Sequence, residues 1–316
     1  MSRDDFRRLG NSELRVSPVA FGCWPISGMT TLHTNEQDSL DTLRAAIDCG
    51  INFFDTAYCY GPKGESDQLL GQAIKHNRDE LVIASKGGVH WDDQVQKVQD
   101  ASPGRLKREC EEILERLKTD VIDLFYLHAP DPKIPVAESA TAFSELIESG
   151  KIRYAAVSNC TVDQLEEFVS VCPIVAVQPP YNILQRHIEA DLIPWCIERD
   201  IAVVNYWPLM KGLLAGKIRR GHQFDANDKR LTYEIFQGEA FERAQCLLDG
   251  LDDVANETGK TVSQVVINWT MCQPGITSTL CGAKRDWQIQ ETAGAMGWEL
   301  STEQKIRIRK LAEANS

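Results

Sequence analysis

Eight short runs rich in β-branched, aromatic and small apolar residues recur along the chain, at 19–22, 52–57, 81–86, 122–128, 154–159, 174–178, 202–206 and 277–282. The segments between them carry helical period. Ser102-Pro103 pairs a capping residue with proline at a first helical position, and Leu106, Cys110, Ile113, Leu114 and Leu117 then recur on one face. Val136, Ala140, Phe143 and Ile147 form the next stripe, which Gly150 ends. Thr161 opens another helix, with Leu165, Phe168 and Val169 facing inward. Strands that alternate with helices build βαβ units and a parallel sheet. Eight in succession predict an α/β fold of one kind, a closed (β/α)8 TIM barrel rather than an open sheet. Leu9-Gly10-Asn11-Ser12 reads as the turn of an N-terminal β-hairpin preceding that barrel. No linker rich in Pro, Gly or Ser and no repeat divides the chain, so residues 1–316 are expected to form a single barrel domain. The longest irregular stretch, 211–237, follows the seventh strand. A loop of that length in a compact domain is usually functional.

Charge narrows the partners. Against 34 Lys and Arg stand 46 Asp and Glu, a formal net charge of −12. Such a surface repels phosphate backbones, so nucleic acid and anionic membrane are expected to be poor partners. No apolar run approaches the roughly 18 residues that cross a bilayer. The opening residues, through Arg7 and Arg8, place no apolar core behind their charges as a secretory signal would, and a cytoplasmic location is expected. None of the ten cysteines sits in a Cys-x-x-Cys pair, and no Cys/His grouping has the spacing of a zinc site, so no metal is expected. Cys110, Cys172 and Cys281 fall inside apolar patterns, where a reduced thiol acts as a small hydrophobe.

In a parallel barrel the active site is built at the carboxyl ends of the strands. Read in order, those ends carry Asp55, Lys86, His128, Asn159, Gln178 and Tyr206, with Tyr60 just beyond the second strand. Each alone has an ordinary structural explanation: a turn, a solvated strand end, a satisfied histidine, a helix cap. Polar residues at six consecutive strand ends are not what packing alone would select.

The stretch Asp55-Thr56-Ala57-Tyr58-Cys59-Tyr60-Gly61, followed by Gly64-Glu65-Ser66, resembles the signature of the aldo-keto reductases. So do Ile83-Ala84-Ser85-Lys86, the run from Ile122 to His128, and Val157-Ser158-Asn159. Val177-Gln178, Tyr206-Trp207-Pro208-Leu209, Gly212 to Lys217, and Gly282-Ala283-Lys284-Arg285 with Gln288 and Glu291 continue the likeness in family order. The resemblance implies an oxidoreductase that reduces an aldehyde or ketone to the alcohol by hydride transfer from NADPH, without metal. It implies Tyr60 as general acid, since the alkoxide left by hydride addition needs a proton donor within about 3 Å. Lys86 would favour the ionised phenol, Asp55 would hold Lys86, and His128 would orient the substrate carbonyl.

The same resemblance implies a cofactor lying extended along the barrel mouth, and no Gly-x-Gly-x-x-Gly is present. Ser158, Asn159 and Gln178 would hold the carboxamide, and Tyr206 would stack under the nicotinamide. The backbone from Pro208 through Leu209 to Lys211, with the Lys217 side chain, would carry the pyrophosphate. Gly282, Lys284, Arg285, Gln288, Glu291 and Thr292 would close over the adenosine half, with Lys284 and Arg285 beside a 2′-phosphate. Asp286 is expected to cap the helix beginning near Trp287. Trp207 stands where many members have Ser, and Thr292 where Asn is usual. Trp24, Tyr58 and Trp91 are expected to line the substrate pocket. Aromatic walls favour an apolar or aromatic aldehyde over a free sugar, although tryptophans also stack on sugar rings. Two rival readings come from other classes. A non-enzymatic regulatory subunit would resemble the channel-associated β-subunits of this family, which keep the cofactor site. A metal-dependent hydrolase on the same barrel would need clustered ligands at strand ends, where His128 is the one histidine.

Overall fold

The computed structural model describes residues 5–29 and 34–315. An antiparallel hairpin, β1 (Arg7–Arg8) and β2 (Arg15–Val16), comes first. Eight parallel strands then close a barrel: β3 (Val19–Gly22), β4 (Phe53–Asp55), β5 (Val82–Gly87), β8 (Ile122–Leu127), β9 (Ile152–Ser158), β10 (Ile174–Gln178), β11 (Ala202–Asn205) and β12 (Ile276–Gly282). β12 pairs with β3, so no edge is left open. A second hairpin, β6 (Val89–Trp91) with β7 (Lys97–Gln99), rises directly after β5. The alternation therefore specifies the fold it predicts, and the strand limits move by two residues at most. The β6–β7 hairpin was not legible: its two strands are three residues each, too short for an alternation to declare itself.

The helices are α1 (Glu36–Asp48), α2 (Glu65–Ala73), α3 (Pro103–Leu117), α4 (Val136–Glu148), α5 (Val162–Val169), α6 (Leu192–Glu198), α7 (Gly238–Thr258), α8 (Val262–Met271), α9 (Asp286–Ala293) and α10 (Thr302–Ala314). Thr161 caps α5 in a reciprocal capping box with Gln164. Proline at the start of α3 fits its first turn, but Ser102 makes no side-chain cap there. In α4 the buried place expected of Ile147 belongs to Leu146, because the helix turns its stripe by one position against the sheet. Between Lys211 and Gln237 the chain holds only 3-10 turns. Among the described residues no helix is long and apolar enough to cross a membrane.

Inside the barrel, strand residues alternate with period two between the lumen and the helical shell. Ala20, Phe53, Val82, Ala84, Leu124, Tyr126, Ala156, Ala176, Ala202, Val204 and Leu280 form the luminal cluster. Leu9, Leu14 and Val16 of the hairpin join it from below, each at most 4% exposed. Side chains of that size, fully buried, contribute about 1.5–3 kcal/mol apiece, so the hairpin is an integral stopper. Gly10, at φ +52°, makes the approach possible: a Cβ there would lie 2.2 Å from the Val175 carbonyl oxygen.

Candidate active site

The luminal alternation runs on past the apolar layers and ends in polar groups. Phe53 is followed two residues later by Asp55, Ala84 by Lys86, Tyr126 by His128, Ala156 by Ser158, Ala176 by Gln178 and Val204 by Tyr206. Strand pairing sets Asp55 beside Ala84 and Lys86 beside Tyr126, so these residues stand at neighbouring heights at one end of the barrel.

Lys86 is the hub. Its Nζ donates to Asp55 Oδ1 at 2.5 Å, to the Thr56 carbonyl at 2.9 Å and to Tyr60 Oη at 3.3 Å. All three ammonium hydrogens thus have partners. Asp55 and Lys86 are each 1% exposed. The second carboxylate oxygen of Asp55 accepts from Gln178 Nε2 at 2.8 Å. Burial raises the Asp55 carboxyl above its usual range, while Lys86 and Gln178 pull it back down. Burial first, then the Asp55 carboxylate, hold the Tyr60 hydroxyl well above its ordinary value. Lys86 and Asp55 form an ion pair, so the carboxylate offsets part of the ammonium's field at the phenol. Tyr60 rests as a protonated phenol.

His128 faces Tyr60 edge-on, with ring centroids 6.1 Å apart. Its backbone is pinned on both sides: N–H donates to Gly87 O, and its carbonyl accepts from Asn159 Nδ2, both at 2.9 Å. Burial, with the cations of Lys86 and Lys97, keeps the imidazole well below its usual pKa and hence neutral. Trp24, on a 3-10 turn after β3, meets the Tyr60 ring at 5.1 Å. Trp91, on β6, donates to the Cys59 carbonyl at 2.8 Å and packs with Ala57, Cys59 and Val89 beside Tyr60. Tyr58 departs from its expected place in the pocket. Its hydroxyl donates to Glu112 at 2.6 Å, and its ring lies under the guanidinium groups of Arg105 and Arg116. The alternation that turns Asp55 into the lumen gives way to a loop here, and Tyr58 falls toward α3.

The groups expected along a cofactor stand at or after the carboxyl ends of β9 to β12. Ser158 Oγ donates to the Gln178 carbonyl at 2.8 Å. Asn159 takes a left-handed φ of +59° and accepts from the Tyr206 hydroxyl at 2.8 Å. After β11 the backbone is left-handed at Trp207, Met210, Lys211 and Gly212. Pro208 is buried, Leu209 is half-buried, and Lys211 Nζ lies between the Trp207 and Tyr233 rings, 3.7 and 4.3 Å from their centroids. Lys217 pairs with Glu291 at 2.5 Å. Gly282 ends β12, and in the turn beyond it Gln288 Oε1 accepts from the Lys284 N–H at 2.9 Å. Arg285 pairs with Asp38 at 3.0 Å. Burial and the nearby guanidinium groups of Arg285 and Arg230 lower the pKa of Lys284. Asp286 Oδ1 accepts from Trp287 N–H at 2.7 Å, and α9 begins at Asp286 itself. Thr292 is turned away: it is 5% exposed and its hydroxyl donates to Ile289 O within α9.

Three contributors escaped the sequence reading. The Thr56 carbonyl that accepts from Lys86 is backbone and leaves no side-chain signal. Cys59 lies 3.7 Å from His128 Nδ1, and a cysteine between two tyrosines carries no spacing signal of its own. Glu109 is buried and accepts from the Gly88 N–H at 2.6 Å and from Arg105 Nε at 2.7 Å, fixing the turn just after Lys86. Its signal was available: Glu109 sits three residues after Leu106, on the buried stripe of α3.

With this geometry in hand, the likeness to known proteins is decisive. The model of the Aldo/keto reductase family matches residues 18–313. An aldo-keto reductase of Bacillus subtilis (strain 168) is 34% identical over 312 residues, which cover 98% of this chain and 94% of that one. The NADH-specific methylglyoxal reductase of Escherichia coli (strain K12) is 30% identical over 321 residues, covering 97% and 98%. The solved glycerol dehydrogenase from Gluconobacter oxydans superposes with a TM-score of 0.92 at 32% identity, covering 100% of this chain and 97% of that chain. The chain belongs to the aldo/keto reductase family, a family of oxidoreductases that work with nicotinamide cofactors.

Proposed function

We propose that the protein reduces an aldehyde or ketone to the alcohol with NADPH, and that Tyr60 supplies the proton. One observation carries the reading: the Lys86 ammonium bonds at once to Asp55, the Thr56 carbonyl and the Tyr60 hydroxyl, in a buried corner that opens at the phenol. An extended dinucleotide suits these residues, because cations stand at Lys217, Lys284, Arg285 and Arg230 for its anionic oxygens. Ser158, Asn159 and Gln178 would hold the carboxamide and Tyr206 would lie under the ring. Bound there, the cofactor supplies the hydride.

The chain's own residues do the rest. Tyr60, protonated at rest, gives its proton to the carbonyl oxygen as negative charge grows there. The phenolate left behind sits 3.3 Å from the Lys86 ammonium, whose position Asp55 fixes. His128 donates a hydrogen bond to the same oxygen and orients the carbonyl. Trp24 and Trp91 wall the site against water. Lys284 and Arg285 favour NADPH over NADH through a 2′-phosphate.

The test is cofactor oxidation followed against a panel of aldehydes, ketones and quinones, with NADPH and NADH side by side. The panel includes ketoaldehydes, and polyols in the oxidative direction, because two relatives are named for methylglyoxal and glycerol. Turnover with no carbonyl on the panel would sink the reading.

A further inference from the structure

Cys59 Sγ stands 3.7 Å from His128 Nδ1, within reach of a weak S–H hydrogen bond. The thiol is 2% exposed, and burial pushes its pKa up to about 11, so it carries its proton at neutral pH. A neutral imidazole carries one proton, on Nδ1 or on Nε2, and the bond made by one nitrogen decides the state of the other. The two candidate bonds here are unequal. An unprotonated imidazole nitrogen is a good acceptor, whereas a thiol sulfur is a weak one. The arrangement with S–H donating to Nδ1 therefore prevails over N–H donating to sulfur.

We infer that Cys59 sets the tautomer of His128, keeping the ring proton on Nε2, where it can be donated to a substrate carbonyl oxygen. Both partners are held for the task. His128 is fixed by its backbone bonds to Gly87 and Asn159, and Cys59 by its carbonyl, which accepts the Trp91 indole N–H at 2.8 Å. One residue thus ties the aromatic wall of the mouth to the imidazole that faces the substrate. Cys59 is a positioning residue, since it touches His128 and acts through it. The role toward a carbonyl rests on the proposed function; the tautomer is a property of the resting protein.

The experiment uses the full chain labelled with ¹⁵N at histidine and long-range ¹H–¹⁵N correlation, the His128 signals being assigned by their loss in His128→Gln. In the wild type, His128 is expected as a single neutral tautomer protonated at Nε2. Cys59→Ala should give a mixture with a substantial Nδ1-protonated population. Cys59→Ser, which keeps a donor of similar size, should return it to Nε2. In parallel, kcat/KM for a reducible aldehyde should fall about 2- to 10-fold in the Ala variant and recover in the Ser variant, the range expected for one lost hydrogen bond. A wild-type ring protonated at Nδ1, or an unchanged tautomer in Cys59→Ala, overturns the inference. A tautomer that shifts as expected in a protein that reduces no carbonyl supports the inference and refutes the proposed function instead.

Discussion

Replacing Lys86 by Met removes the one cation that neutralises Asp55. In Lys86→Met the carboxylate would keep only the Gln178 bond at 2.8 Å, in a place where it is 1% exposed. Stripping one partner from a buried ion pair costs about 3–5 kcal/mol. At roughly 2.1 cal/mol/K of unfolding entropy per residue, a chain of 316 residues should then lose about 5–8 °C in Tm at neutral pH. The sign of the pH effect follows from Asp55. Its folded pKa, already raised by burial, rises further once Lys86 is gone. A carboxyl with a raised folded pKa contributes fully below its unfolded value and loses that contribution as pH climbs through the folded one. The Tm deficit of Lys86→Met should accordingly shrink as pH falls toward 4. In the double variant Asp55→Asn/Lys86→Met no charge is buried, and at least half of the lost Tm should return. Carbonyl reduction should not return, because the phenolate of Tyr60 would still lack its counter-charge. Scanning calorimetry and steady-state kinetics on the four proteins of this cycle decide the matter. A double variant as unstable as the single one would show that the pair is not mutually neutralising, and one with restored turnover would remove Lys86 from the chemistry.

Tyr60→Phe should lower kcat by about 10²–10⁴-fold while cofactor affinity, read from fluorescence titration, stays within about twofold; a variant keeping a tenth of wild-type turnover, with chemistry rate-limiting, would acquit the phenol. We expect a 10- to 100-fold preference in kcat/KM for NADPH over NADH, and its collapse in Lys284→Ala/Arg285→Ala. That range takes about 1.5–3 kcal/mol for each charge-assisted bond, reduced by solvent at a partly exposed turn; equal use of the two cofactors by the wild type would refute the assignment. Burial raises the Glu109 carboxyl to about 7, so its contribution to stability is full below about pH 4 and is lost as pH rises to 7 and beyond. Glu109→Gln keeps an acceptor for the Gly88 N–H and should flatten the fall in Tm between pH 5 and pH 8; a steeper fall in the variant would mean the ion pair with Arg105 outweighs the buried charge.

The barrel was legible in the sequence because period-two strands and period-3.6 helices are local signals repeated many times over. The inner mouth was legible for a related reason: Asp55, Lys86, His128 and Gln178 each prolong a luminal alternation that the strand already declares. What lay off that alternation was not. Tyr58 sits in a loop, where residue spacing no longer fixes direction, and two arginines of α3 claim its ring. Thr292 was placed by the family pattern, at a position where Asn is usual, yet on α9 it lies on the buried face and spends its hydroxyl on Ile289. The resting state of Tyr60 depends first on burial and then on the Asp55 carboxylate beside it. Depth of that kind belongs to the folded mouth, and no motif encodes it.

The stopper at the foot of the barrel carries a consequence for assembly. Arg7 Nη1 donates to the carbonyls of Met271, Ile276 and Thr277, Arg8 pairs with Asp200, and Gly10 nests against Val175, Asp200 and Ala202. Every one of these partners is synthesised after more than half of the chain. The earliest described residues must therefore wait, with Leu9, Leu14 and Val16 in water, for a socket that β10, β11 and the segment before β12 have yet to build. Closure by β12 against β3 has the same long span, and contacts of such separation are slow to form. The two events share a neighbourhood, because the carbonyls that receive Arg7 flank or begin the strand that seals the sheet. Seating the hairpin and shutting the barrel are thus coupled steps, and the polar mouth at the opposite end gains its fixed spacing only once both are done.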